Sequence, residues 1–247
     1  MEIIWGRNSV REALRAGRSV RRILLATGAK PVGALAETIE EARSRGIPIE
    51  HVDRRRLDNL ARTLKHQGIV AEVAEYRYAD LSDILSRASE KGEYPLILVL
   101  DSLQDPQNLG SLLRTAEAVG AHGVVIPRHR AVGITPAVVK ASAGAVEHLL
   151  VARVTNLAQA INDLKEAGAW IVGIDMDGRQ AFDEIDWNMP LALVVGGEGK
   201  GISRLVKETC DLVVRIPMRG HVSSLNAAVA GSLVLYHAWR KRSRSQG

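Results

Sequence analysis

From Pro95 onward, short unbroken apolar runs recur along the chain: PLILVL, GVVIP, HLLVAR, AWIVGID, LALVVG and DLVVRIP. A strand with one wet face alternates apolar and polar residues. A run without alternation is buried on both faces, which requires a parallel sheet covered by helices. Helix-patterned stretches between the runs supply that cover: NLGSLLRTAEAVG, LAQAINDLKEAG, ISRLVKET and the closing SSLNAAVAGSLVLYHAW. The C-terminal part is therefore an α/β domain of about six strands. Ligands of such sheets sit outside the carboxyl ends of the strands, so the loops there are where a site is sought.

A weaker version of the same rhythm precedes it. VREALRAG is amphipathic, RRILLA is a strand, and VGALAETIEEARSRG is a helix ended by Gly46. IPIEHV, RRRLDNLARTL and GIVAEVAEY then read as strand, helix and strand. This makes a compact α/β domain over residues 1–77. The polar stretch 78–93, with a short helical piece, reads as a linker, and 94–247 forms the second domain.

Charge separates the two domains more sharply than hydropathy does. The net charge is +5. Residues 1–77 hold 15 Lys+Arg against 10 Asp+Glu, whereas the rest of the chain holds 18 of each. The excess is mostly arginine, as in RSVRR and RRR at 54–56. Localised basic charge is the footprint of a polyanionic partner, nucleic acid first. A single cysteine, Cys210, rules out a disulfide framework within the chain and fits a reducing cytoplasm. The start, MEIIWGRNSVREALRAG, has no apolar core of a secretion signal, and no run approaches the ~18 residues of a membrane span.

GGEGKG follows the strand LALVV, at a carboxyl end. It is not a P-loop: Gly201 follows Lys200 where Ser or Thr is needed, and Val194 stands where the first glycine belongs. It is not a dinucleotide fingerprint, because Ile202 replaces the third glycine. DMDG at 175–178 fails as a calcium loop at Arg179, and no His/Cys cluster has zinc spacing, so no metal is expected.

Three polar sets remain at the expected side of the sheet. In QDPQNLGSLLRT, Asn108 is either a helix cap or a site residue, and Arg114 stands on an apolar helix. Glu198 is a carboxylate embedded in glycines, which let backbone approach a ligand closely. In IPMRGHVSSLN, Ser224 and Asn226 together exceed what one helix start needs.

N-x-G-x-x-x-R-T at 108–115, G-x-E-x-x-G at 196–201 and I-P-M-x-G-x-x-S-S-L-N at 216–226 resemble, in order and spacing, the three motifs of the SpoU branch of SPOUT methyltransferases. IIWGRNSVREAL and KHQGIVAEV are similar to the L30e-like substrate-binding domain of the same branch. The resemblance implies an RNA ribose 2′-O-methyltransferase that uses S-adenosylmethionine, a parallel sheet with a C-terminal trefoil knot, and a homodimer. It also implies Gly196, Ile216 and Leu225 as cofactor contacts, and Asn108, Arg114, Glu198, Ser224 and Asn226 as the catalytic set. Within the branch the chain is most similar to enzymes acting on a guanosine ribose of bacterial 23S rRNA. General topology rules disfavour a knot, so that expectation rests on the resemblance alone.

The resemblance casts Arg114 as general base, yet a guanidinium ordinarily stays protonated. Either a neighbouring RNA phosphate helps it shed a proton, or it clamps phosphate and O2′ while another group accepts the proton. The scarcity of aromatics, 4% of residues, disfavours recognition by base stacking. Two alternatives stay open: a tRNA ribose as substrate, and a non-catalytic RNA-binding factor on the same fold.

Overall fold

The computed structural model describes residues 1–244. The chain divides into two compact units, one of Met1–Arg77 with Ile134–His148, the other of Tyr78–Gly133 with the chain from Leu149.

The first unit runs β1 (Glu2–Trp5), α1 (Arg7–Arg15), β2 (Val20–Ala26), α2 (Ala34–Ser44), β3 (Ile49–Val52), α3 (Arg54–Ala61) and β4 (Ile69–Val73). The sheet order is β1-β4-β2-β3. β2 and β3 are parallel, while β4 lies antiparallel to both β1 and β2. The strand β1 was not anticipated: EIIW is four residues long and stops at Gly6, too short for a period. Leu57 and Ala61 of α3 close one face of the sheet over Leu24, Ala26, Val52 and Val70.

Residues 78–93, read from the sequence as a linker, contain α4 (Leu81–Glu90). Its Ile84 is fully buried in the core of the second unit. One apolar side per turn anchors this helix, and a polar tally over the stretch conceals it.

That unit continues with β5 (Leu96–Asp101), α5 (Pro106–Ala118) and β6 (Gly123–Pro127). α6 (Pro136–Ala141) and a 3₁₀ turn (Ala145–His148) belong by their contacts to the first unit. There the buried Ser9 hydroxyl donates to the Val139 carbonyl, and Glu147 pairs with Arg18 at 2.7 Å. The second unit resumes with β7 (Val151–Val154), α7 (Leu157–Glu166), β8 (Trp170–Ile174), β9 (Gln180–Ala181), β10 (Leu191–Gly196), α8 (Arg204–Thr209), β11 (Leu212–Arg215) and α9 (Ala227–Arg244).

Its sheet order is β7-β6-β5-β10-β8-β11-β9, every pair parallel. All six residues of β5 and all six of β10 are buried, as two covered faces require. The seventh strand, β9, has only two residues, which no sequence pattern marks. The closing helix begins at Ala227 rather than at Ser223, so Ser223, Ser224 and Leu225 precede it in a loop. α9 lies against α5 and β10. Gly231 permits that approach: a Cβ there would sit 2.7 Å from Leu112 and 2.9 Å from Val195.

Candidate active site

Three loops meet at the carboxyl ends of β5 and β10. In the first, Asp105 caps α5, its carboxylate accepting from the backbone N–H of Gln107 and Asn108, with Pro106 opening the helix. The capping alternative for Asn108 is thereby excluded, and its side chain is free for other work. In the second, Gly196 and Gly197 end β10 where side chains have no room. A Cβ on Gly197 would lie 2.6 Å from the Ser102 carbonyl, and one on Gly196 would meet the Gly201 backbone at 2.0 Å. Asp101, buried at the end of β5, accepts from the Ser203 N–H at 2.7 Å and ties the far end of this loop back to the sheet. In the third, Asn226 caps α9, its Oδ1 accepting from the N–H of Ala228 and Val229.

One series of hydrogen bonds joins the three. The Asn226 amide donates to Asn108 Oδ1 at 3.1 Å, and the Asn108 amide donates to Glu198 Oε1 at 2.6 Å. Each side chain fixes the next. Asn226 is oriented by the helix it caps, Asn108 by Asn226, and the carboxylate of Glu198 by Asn108. The last bond is charge-assisted, the stronger kind.

Arg114 is not in that series. It stands on the exposed side of α5 with no hydrogen bond or ion pair among the described residues. Beside it, Thr115 and Ser232 bridge α5 to α9 through their hydroxyls at 2.8 Å. The six-residue spacing from Asn108 puts the two on different sides of the helix.

A cleft of about 310 Å³ opens between the second and third loops, lined among others by Gly196, Glu198, Ile216, Ser224 and Leu225. All three residues expected at a cofactor thus line it, together with two of the expected catalytic ones. Sequence reading missed the opposite wall. There Lys207 of α8 donates to Asp175 at 2.8 Å and to Asp177 at 2.9 Å. Burial pushes the Asp175 carboxyl up, but the hydrogen bonds from Lys207 and from the Asp177 N–H outweigh it, leaving the group below its ordinary value. Burial opposes the Lys207 charge as well, yet its bonds to Asp175 and Asp177 hold its pKa above the ordinary value. The available signal was the position of Asp175, just past the carboxyl end of the run AWIVGI.

The lone cysteine takes no part in such chemistry. Burial pushes the Cys210 thiol up to about 12, so it carries almost no thiolate at neutral pH.

Comparison with known proteins gives one answer along the whole chain. Residues 95–236 match the SpoU rRNA Methylase family, and residues 3–79 match the RNA 2′-O ribose methyltransferase substrate binding domain. A Bacillus subtilis (strain 168) protein named for the TrmH family of tRNA/rRNA methyltransferases is 51% identical over 241 residues, 98% of this chain and 96% of its own. A Staphylococcus aureus (strain MSSA476) protein named for the same family is 45% identical over 240 residues, 97% of this chain and 96% of its own. Among solved structures, the SpoU methyltransferase AviRb from Streptomyces viridochromogenes, in complex with the cofactor AdoMet, aligns with a TM-score of 0.81 and 29% identity. It covers 99% of this chain and 91% of that one. Motif order, sheet, and two family models that match most of the chain agree: the chain belongs to the SpoU family of RNA 2′-O-ribose methyltransferases.

Proposed function

We propose that the protein transfers a methyl group from S-adenosylmethionine to the ribose O2′ of a guanosine in 23S rRNA. The observation that carries this reading is the series Asn226, Asn108, Glu198, which ties together three segments far apart in sequence, with Glu198 lining the cleft. The cleft suits the donor. Its volume, about 310 Å³, lies at the low end of small-molecule sites, roughly 300–1,000 Å³. Bare glycine backbone, the apolar Ile216 and Leu225, and the polar Glu198 and Ser224 offer surfaces for a ligand that is part heterocycle, part charged chain. Gly196, Ile216 and Leu225 would hold it, and when bound it supplies a methyl already activated on a sulfonium.

The chain's own task is to align the ribose and release one proton. The O2′ gains the methyl and loses its hydrogen as a proton. Alignment of reacting groups is worth up to roughly 7–11 kcal/mol. Asn108 and Glu198 set the rim against which the ribose is placed, with Ser224 and Asn226 beside them. Arg114 has no acid partner among the described residues, so its fork is available to a substrate phosphate. In our reading it clamps that phosphate and the O2′ while water takes the proton, because a guanidinium ordinarily keeps its own.

A second copy of the chain belongs to this reading. Val229, Leu233 and Tyr236 of α9 are 53, 43 and 52% exposed and form one apolar strip along the side that carries the Thr115–Ser232 bridge. We assign that strip to a homodimer seam, which sedimentation at micromolar concentration reads directly. The knot implied by the resemblance fits the path of the chain: β11 lies beyond β8, whereas α9 returns to α5. Cys210 as a free thiol suits a cytoplasmic protein.

The deciding experiment incubates purified protein with methyl-labelled S-adenosylmethionine and, separately, 23S rRNA and tRNA transcripts, then maps the labelled ribose. One 2′-O-methylguanosine in 23S rRNA is expected. Label in tRNA alone would move the substrate to tRNA, a reading that relatives named for both RNAs leave open. Absence of label with the donor bound by calorimetry would leave a non-catalytic RNA-binding factor.

A further inference from the structure

The cations of the first unit fall into two groups. Arg18 reaches Glu2 and Glu147, Arg22 reaches Glu50 and Glu72, Arg11 and Arg15 reach Glu12 and Glu37, and Arg45 reaches Glu41. Their charge is spent inside the unit. Arg7, Lys30, Arg43, Arg54, Arg55, Arg62, Lys65 and Arg77 have no carboxylate within ion-pair distance among the described residues, and all but Arg7 are exposed; Arg43 and Arg77 lie on other parts of the unit, and the remaining six share one end of the sheet.

These six are not scattered. β1 ends at Trp5 opposite Val70, and β2 ends at Ala26 opposite Val52, the end of β3. The Ala26 N–H donates to the Gly68 carbonyl, just before β4 begins. The connections β1–α1, β2–α2, β3–α3 and α3–β4 therefore all leave or enter the sheet at one end. Arg7 is on the first, Lys30 on the second, Arg54 and Arg55 start α3, and Arg62 and Lys65 follow it. Lys140 joins them from α6, its ammonium 2.8 Å from Gln67 Oε1, an atom that also accepts from the Arg7 N–H.

Two details argue that the end is kept open for an anion. The first turn of α3 is three arginines with no acid, although a helix start favours negative charge and disfavours positive. Of the three, only Arg56 has an acid in range among the described residues, Glu50 at 3.9 Å. A local rule broken without structural return marks a functional surface. The acids on these connections, Asp53 and Asp58, are both engaged: Asp53 accepts from the Arg55 N–H, and Asp58 bonds His66 at 2.8 Å. Neither forms an ion pair with these cations among the described residues.

We infer that this end of the four-stranded sheet, centred on Arg54, Arg55, Arg62 and Lys65, is the surface on which the first unit holds RNA by its phosphates. The inference rests on the RNA-methyltransferase reading and says where the affinity resides. The connections 27–33 and 53–68 carry no Phe, Tyr or Trp to stack on bases, and Trp5, at the end of β1, packs against the core. Recognition here is therefore sequence-independent, and the choice of nucleotide falls to the catalytic unit.

The test uses the full chain and two double variants of equal charge, Arg54→Gln/Arg55→Gln and Arg43→Gln/Arg77→Gln. Arg43 and Arg77 are likewise exposed and without an ion-pair partner among the described residues, but lie on other parts of the unit. Removing cations from a helix start does not endanger the fold, and thermal melts check both proteins. Binding of a 23S rRNA transcript is measured over a salt series. The first double is expected to bind about tenfold or more weakly, with the log–log salt slope reduced by about 0.7–0.9 for each phosphate no longer neutralised. The second is expected to keep the wild-type slope, and both to bind S-adenosylmethionine as wild type does. Equal losses in the two doubles, or none in the first, overturn the assignment while leaving RNA binding itself intact. A wild-type protein that binds the transcript without salt dependence overturns the underlying reading as well.

Discussion

At the carboxyl ends of β5 and β10 the polar side chains bond to one another, Asn226 to Asn108 and Asn108 to Glu198. At the comparable end of the four-stranded sheet the exposed cations are left without acid partners: Lys30, Arg54, Arg55, Arg62 and Lys65 reach no carboxylate among the described residues. On the functions proposed above, the difference follows from what each end has to do. A reacting group must be held in one orientation before the substrate arrives, so its neighbours are spent on fixing it. A surface that binds phosphates needs charge that nothing else has neutralised, and long flexible cations suffice. Internal bonding thus marks positioning, and its absence marks binding. Arg114, exposed and unpaired within the catalytic unit, follows the second rule and is read as a phosphate contact.

The strongest way to break this contrast is Arg114→Ala. We expect kcat to fall by about 10³-fold, within the range of lost positioning, while S-adenosylmethionine affinity stays at the wild-type value. Arg114→Lys keeps the charge but not the planar fork, and is expected to recover only a small part of the rate. Near-normal turnover in Arg114→Ala, with the donor bound, removes Arg114 from the site altogether.

Asn108 tests the bonded end. Asn108→Ala takes the donor from Glu198 and the acceptor from Asn226 at once, and a loss of about 10–100-fold in kcat/KM is expected. Glu198→Ala alone removes only the last member of the series. Because the two side chains touch, Asn108→Ala/Glu198→Ala should lose less than the product of the single losses. Strict additivity in that cycle would mean that the two act independently and that their hydrogen bond is incidental.

How much of this was legible beforehand depends on whether the signal was local. The sheet was, because the runs of β6, β8 and β10 have no polar residue to compete with burial and β5 has one only at its end, Asp101. β9, with two residues, and β1, with four, are held by pairing partners remote in sequence and were missed. The segments carrying Asn108, Glu198 and Asn226 were legible as motifs, whereas the bonds among them were not, since amide orientation is set only when the segments meet. The allotment of residues 134–148 to the first unit likewise depends on distant partners, among them Arg18 for Glu147 and Glu12 for His148. Lys207 lies in no motif, and its acids Asp175 and Asp177 stand out in the sequence only within a calcium loop that fails. The charge asymmetry was plain from composition, but which cations remain unpaired is a fact of register.

Lys207 supplies the smallest and most specific test, because it is a cation treated in the manner of the bonded end. It grips Asp175 and Asp177 along the wall of the cleft, so Lys207→Met should loosen that wall and leave the rim series intact. We expect S-adenosylmethionine affinity to drop about two- to fivefold, the size of a partly exposed ion pair, with kcat at saturation unchanged. The pH dependence separates this from a general loss of fold. Asp175 is held below its ordinary value, so its pairing stabilises the protein above the unfolded carboxyl range and is lost as pH falls through the lowered value. Lys207 is held above its ordinary value, so its share is complete below the unfolded lysine value and is lost as pH rises through the raised one. The difference in melting temperature between wild type and Lys207→Met should therefore stay constant across neutral pH and close in acid as Asp175 takes up its proton. A gap that persists when both acids are protonated would assign Lys207 to packing rather than to charge.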